Sequence, residues 1–182
     1  MSTKKKKKDE DTGASHPPRF IIGNDNGVTG SIAVISVETG DLVLYKPTPV
    51  VKQLSYTKAA KWMNFLDVEK YIDILEPYAL NARLFMERPM INPTRWVASA
   101  SALCCWTLQR YALQTLAESH GLRVEYIDSK QWQKVMLPEG LTTAPVLKQA
   151  SLDVGNRLFP KQKFKKDADA ALIAEWARQT KR

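Results

Sequence analysis

The chain has 182 residues, 44% hydrophobic and 25% charged, which fits one folded domain of ordinary globular composition rather than several domains or a disordered polymer. It carries 27 Lys+Arg against 19 Asp+Glu, a formal net charge of +8, so a polyanion is its natural partner. No basic amphipathic helix with a clean apolar face stands out, which favours nucleic acid over a membrane surface.

Residues 1–18 read as a disordered basic arm, with the folded domain spanning 19–182. Lys4 to Lys8 are followed by Asp9, Glu10 and Asp11 and then by Gly-Ala-Ser-His-Pro-Pro, which lacks the apolar core of a signal peptide. The arm is a solvated charge run or a non-specific tether to DNA. From Arg19 the pattern changes. Phe20-Ile21-Ile22-Gly23 is a continuous apolar run typical of a strand buried on both faces, and Asp25-Asn26-Gly27 with Thr29-Gly30 supplies a turn. Gly30 to Val37 and Leu42 to Tyr45 predict two more strands.

Asp67 is a good N-cap for a helix over Val68 to Tyr78, whose Val68, Tyr71, Ile72 and Leu75 share a face. Leu84-Phe85-Met86 is again a short apolar strand, ending at Glu87. Asn92 can cap a helix whose first position is Pro93 and which runs to His120, where Gly121 stops it. Val124 to Ile127 is the fifth strand, and helices follow over roughly 143–158 and 167–179. Three strands, helix, strand, helix, strand, helix is the order of the ribonuclease H-like fold, an α/β architecture with a five-stranded mixed sheet flanked by helices. Trp96 to Leu108, the most apolar stretch, is too short to span a bilayer. Cys104 and Cys105 are adjacent, cannot staple distant segments and have no metal-type spacing around them, so a reducing, intracellular setting is expected.

Four carboxylates carry the functional signal. Asp25 and Glu87 each follow an apolar strand, and a strand tip is where an open α/β sheet presents its site. A carboxylate there is costly unless it is used, although an Asx turn is the dull reading for Asp25. Asp169 shares a helical face with Leu172, Ile173 and Trp176, the stripe that should meet the sheet. Asp167 is the weaker candidate, because it also reads as the N-cap of that helix: two residues are about 200° of rotation, and only a frayed or extended start would let both acids point inward. Acids from separate segments that meet at one point are what divalent metal needs, since Mg²⁺ takes carboxylates and water. Two such ions roughly 3.5 to 4 Å apart can act on both sides of a scissile phosphate. Asp128 reads as a helix cap, and Glu118 and Asp153 as solvated helix faces. With only His16 and His120 in the chain, histidine-driven acid–base chemistry is poorly supported.

These residues resemble a known family. The run from Ile21 to Ala33, Phe85-Met86-Glu87-Arg88-Pro89, and Asp167-Ala168-Asp169 through Ala174 are similar, in that order, to the three motifs of RuvC-like Holliday junction resolvases, nearest their phage and organellar branches. The resemblance covers roughly residues 19–180. It implies a homodimeric crossover junction endonuclease that nicks two strands of a four-way DNA junction symmetrically. Asp25, Glu87, Asp167 and Asp169 would be its catalytic and metal-binding residues, holding two Mg²⁺ ions, with Mn²⁺ an expected substitute. Bacterial or virus-infected cytoplasm suits it best, with nucleus or organelle left open. Two departures stand out: Asn24 occupies a position usually apolar, and the last acidic pair is spaced by two residues where three or four is usual.

Arg95, Lys148, Lys163, Lys165 and Lys166 are the candidate phosphate contacts, with Lys161 beside them. Met90, Ile91 or Trp96 is a candidate wedge into an unstacked junction, with core packing as the plain alternative. The small residues Ala98 to Ala102 suit either a dimer contact or burial against the sheet. Three rival functions are weighed. A catalytically silent junction-binding protein draws on the two departures. A related ribonuclease H-like nuclease would act on flaps or RNA–DNA hybrids. An ATP-binding protein of the sugar-kinase and actin type needs about twice this length and a second glycine-rich phosphate loop.

Overall fold

An uninterrupted apolar run has no face to give to solvent. In the computed structural model of the chain, which describes residues 17–55 and 60–181, Phe20–Asn24 is accordingly the central strand, β1. Residues 1–16 lie outside the described part, and with them nearly all of the expected basic arm. β2 (Ser31–Ser36) and β3 (Leu42–Pro47) extend the sheet antiparallel on one side of β1.

A hairpin of β4 (Val50–Leu54) and β5 (Trp62–Leu66) forms a separate two-stranded sheet that the sequence reading did not contain. Helix α1 (Val68–Ala79) follows, capped by Asp67, whose carboxylate accepts the Lys70 backbone N–H at 3.2 Å. β6 (Ala82–Glu87) and β7 (Arg123–Ile127) then add to the other side of β1, both parallel, to give the five-stranded mixed order β3-β2-β1-β6-β7. This is the expected fold class.

Between β6 and β7 runs α2 (Trp96–His120), which ends on Gly121 at φ 70°. Asn92 caps as expected, accepting the Thr94 N–H at 3.0 Å, but Pro93–Arg95 is a 3₁₀ turn and the α-helix proper starts at Trp96. Asp128 is a cap, sharing a capping box with Gln131, and opens a short helix, α3 (Ser129–Met136), absent from the predicted element order. α4 (Ala144–Leu158) and α5 (Asp169–Thr180) complete the chain.

Alternation along the strands divides the core in two. Ile21 and Phe85 face a layer with Trp132 of α3, Val154 of α4 and the whole middle of α5. Ile22, Leu84 and Met86 face Tyr71 and Leu75 of α1 and Ala112, Leu113 and Leu116 of α2. α5 is buried from Ala170 to Ala177 on every side, because it lies between the sheet and the α3 and α4 helices. Asn24 falls on the α1 and α2 side, fully buried, and its side-chain amide has no hydrogen-bond partner among the described residues. No helix among the described residues is long and apolar enough to cross a membrane.

Candidate metal centre

Parallel pairing makes neighbours of Asp25 and Glu87. Asn24 of β1 sits opposite Met86 of β6, so the next residue on each strand emerges side by side at the carboxyl edge. Alternation sends both side chains to the face of Gly23 and Phe85, toward α5. A Cβ added at Gly23 would stand 2.0 Å from the Ala170 carbonyl oxygen and 2.6 Å from the Ala174 nitrogen. Only glycine lets α5 lie this close to β1, and that closeness carries the first turn of α5 to the strand tip. Gly155 serves α4 in the same way, since a Cβ there would meet the Ala168 Cβ at 2.3 Å.

The last two acids reach the same point by a non-helical approach. The helix begins at Asp169, with Ala168 in the capping position at φ −121° and ψ 17°, so Asp167 is not its N-cap. Asp167 is buried, and Asp25, Asp167 and Asp169 each offer a carboxylate oxygen within 4.8 Å of the other two. The two-residue spacing is therefore no barrier to a shared pocket. Glu87 borders this trio. One of its oxygens accepts the Trp132 indole N–H at 2.7 Å, and its charge is felt by Asp25.

Packing negative groups together at the end of a buried strand is electrostatically costly and raises the pKa of the carboxyls that share it. Asp25 is pushed well above the usual carboxylate range, foremost by burial and then by the charges of Asp169, Glu87 and Asp167, with Lys148 opposing. Burial lifts Glu87 to about 7, against the Trp132 hydrogen bond, with Asp169 adding to the rise. Asp169 rises to about 6 through burial and Asp167, while the Ser151 hydrogen bond, Lys148 and Lys166 pull the other way. Tyr45, on β3, is lifted to about 12 by burial, with the Ser31 hydroxyl opposing and the same three aspartates adding to the rise. The site is short of positive charge. Its donors are hard carboxylate oxygens with no histidine or thiolate, the set that suits Mg²⁺, Mn²⁺ or Ca²⁺, so the residues fit a hard divalent cation.

Of the expected cationic contacts, two border the acids. Lys148 on α4 is exposed and its charge acts on both Asp25 and Asp169. Lys166 acts on Asp169, but its ammonium also donates to the Thr29 carbonyl at 2.7 Å and so ties the loop before α5 to the turn after Asp25. Lys161, Lys163 and Lys165 are exposed on the loop before α5, and Arg95 is exposed on the 3₁₀ turn. Met90, Ile91 and Trp96 are 76%, 59% and 69% exposed, so none of them is core. His120 stands at the far end of α2 against Glu76, away from the carboxylates.

Three further residues at this site carry no motif in the sequence. Tyr45 donates its hydroxyl to the Asp167 carbonyl at 2.9 Å, Trp132 holds Glu87, and Ser151 bonds both the Asp169 carboxylate and the Ala168 N–H. Ser151 alone left a trace: with Leu147 and Val154 it lies on the buried stripe of α4, and a hydroxyl in such a stripe needs a partner.

Two solved structures share this fold across nearly their whole length. RuvC of Thermus thermophilus in complex with a Holliday junction substrate superposes at a TM-score of 0.57, with 13% identity over 91% of this chain and 97% of that one. A second Thermus thermophilus RuvC structure gives 0.53 and 14%, over 86% and 92%. The yeast mitochondrial Holliday junction resolvase Ydc2 gives 0.48 and 15%, over 90% and 81%. No family model and no curated protein sequence matches the chain.

Proposed function

We propose that this chain is a metal-dependent endonuclease of the RuvC-like type, resolving four-way DNA junctions as a homodimer through paired symmetric nicks. The observation that carries the reading is the convergence of Asp25, Asp167 and Asp169 within 4.8 Å at the carboxyl edge of the sheet. The fold shared with RuvC supports the same reading. Asp25, Asp167 and Asp169 would hold Mg²⁺ or Mn²⁺, with Glu87 able to complete a two-ion set. When bound, the metal supplies an acidified water and charge neutralisation at the scissile phosphate.

The chain's own groups do the rest. Glu87 is oriented by Trp132 and Asp169 by Ser151. Lys148 stands beside the acids to meet the phosphate on the substrate side, and Lys163 and Lys165 extend that positive rim. The four-way junction suits two such sites related by a two-fold axis.

On this reading the partner copy would pack against the first half of α2. Val97, Cys104 and Tyr111 recur at heptad spacing and are all exposed, Val97 and Tyr111 at 78% and 69%. An apolar groove of about 310 Å³ runs between this half-helix and β5, walled by Met63, Phe65, Trp96 and Val97. The β4–β5 hairpin leaves Leu54 and Trp62 exposed, and a lone two-stranded hairpin is marginal without something packed on it.

Purified protein incubated with a synthetic four-way junction tests the function. With Mg²⁺ we expect paired nicks at symmetric positions, lost by at least a thousandfold in Asp25→Asn while junction binding persists. Binding without nicks would make it the silent junction protein, and preference for flaps or RNA–DNA hybrids the related nuclease.

A further inference from the structure

Three consecutive residues at the entry to α5 are each held by a side chain from another element. The Tyr45 hydroxyl of β3 donates to the Asp167 carbonyl at 2.9 Å. The Ala168 N–H donates to Ser151 Oγ of α4 at 3.0 Å, and that same hydroxyl donates its proton to Asp169 Oδ1. A serine hydroxyl has one proton to give, so accepting from Ala168 while donating to Asp169 leaves its orientation without choice. Ser151 is fully buried.

The arrangement answers a geometric difficulty. Acids two residues apart on a helix point about 200° from each other and cannot serve one pocket. The segment Asp167-Ala168-Asp169-Ala170-Ala171 has no residue that forbids winding, and Asp167 is itself a favourable N-cap. One more turn of helix would swing Asp167 out of the cluster. What opposes that turn is the engagement of the Ala168 N–H and the Asp167 carbonyl, both taken by side chains outside the helix.

We propose that Ser151 is a positioning residue for the metal centre: it holds the backbone out of the helix at Ala168 and aims Asp169, so that an acidic pair with two-residue spacing ligates from one side. Tyr45 is its counterpart at Asp167. This rests on the metal reading of the three aspartates given above.

The test is calorimetric titration of Mn²⁺ into the metal-stripped full chain, without DNA, for the wild type, Ser151→Ala and Tyr45→Phe. It is run well below the melting temperature of each, where a loss of stability alone leaves affinity unmoved. Removing such outer hydrogen-bond partners weakens metal binding by about 10- to 100-fold, and that is the expectation for Ser151→Ala, with a smaller loss for Tyr45→Phe. A wild type that binds no Mn²⁺ removes the metal centre and this proposal with it. A wild type that binds and a folded Ser151→Ala that binds within twofold overturns the positioning role while the metal centre stands. Should Ser151→Ala fail to fold, Tyr45→Phe decides: weakened affinity supports the clamp, and unchanged affinity overturns it.

Discussion

The two sides of the sheet are finished to different degrees. On the α5 side, every residue from Ala170 to Ala177 is buried by the chain's own atoms, glycines admit the closest backbone approaches, and each acid at the edge has a hydrogen-bonded neighbour securing it or its backbone. On the α2 side, the helix is well buried only from Cys105 onward, and its first nine residues bury Ser99 alone. Trp96, Val97 and, on the adjoining hairpin, Leu54 and Trp62 are left bare. On the proposed reading, the first region holds the charges that do the chemistry and the second is where a partner copy would pack.

Disturbing the finished side should have the larger effect on stability. Gly23→Ala forces a methyl into the α5 backbone, and we expect a loss of about 3 kcal/mol, the upper range for overpacking, measured by urea unfolding. For a chain of this length that is a fall of roughly 6–12 °C in melting temperature. A loss under about 1 kcal/mol would mean that α5 is free to shift and the close packing is not what positions Asp169.

Disturbing the open side should leave the fold of each chain alone and change assembly. Val97→Asp lies on a residue that is 78% exposed, so its far-ultraviolet circular dichroism should match the wild type, and any fall in melting temperature should depend on protein concentration, as loss of a partner requires. Light scattering after size-exclusion chromatography should then show a dimer for the wild type and a monomer for the variant. A wild-type monomer at micromolar concentration, or a Val97→Asp dimer, would remove the second copy from this face.

The smallest expected effect is a pH dependence that only the acidic side can produce. Asp169 and Glu87 titrate near 6 and 7 in the fold and Asp25 is also raised, whereas the unfolded chain releases these protons near pH 4. Between those values the folded state holds more protons than the unfolded one, so metal-free stability is greatest at the acidic end and falls as pH rises from about 4 to 7. Melting curves in chelator should show a fall of a few degrees across that window. Mg²⁺ should restore stability more at pH 8 than at pH 5, because it must displace protons at the lower pH. An equal Mg²⁺ effect at both pH values would place the ion elsewhere.

Much of this could be read from residues alone, for reasons that also explain what could not. β1 and β6 announce themselves as apolar runs, and Asp67, Asn92 and Asp128 cap where capping chemistry says they should. Asp25 and Glu87 follow from the cost of a carboxylate at a buried strand tip. The β4–β5 hairpin escaped because Val50–Leu54 and Trp62–Leu66 alternate weakly and residues 55–61 hold neither glycine nor proline. The inward turn of Asp167 escaped because what holds it lies far along the chain: Tyr45 is 122 residues away and Ser151 is 17 from the Ala168 it bonds. Local pattern reports capping preference at Asp167, and the tertiary hydrogen bonds override it.

The most direct measurement is an anomalous difference map from crystals of the wild-type protein soaked in Mn²⁺. A peak bonded by carboxylate oxygens of Asp25, Asp167 and Asp169 together is the predicted result. A map with no peak there, or with manganese held only by other groups, would contradict the claim that these three acids form one cation site.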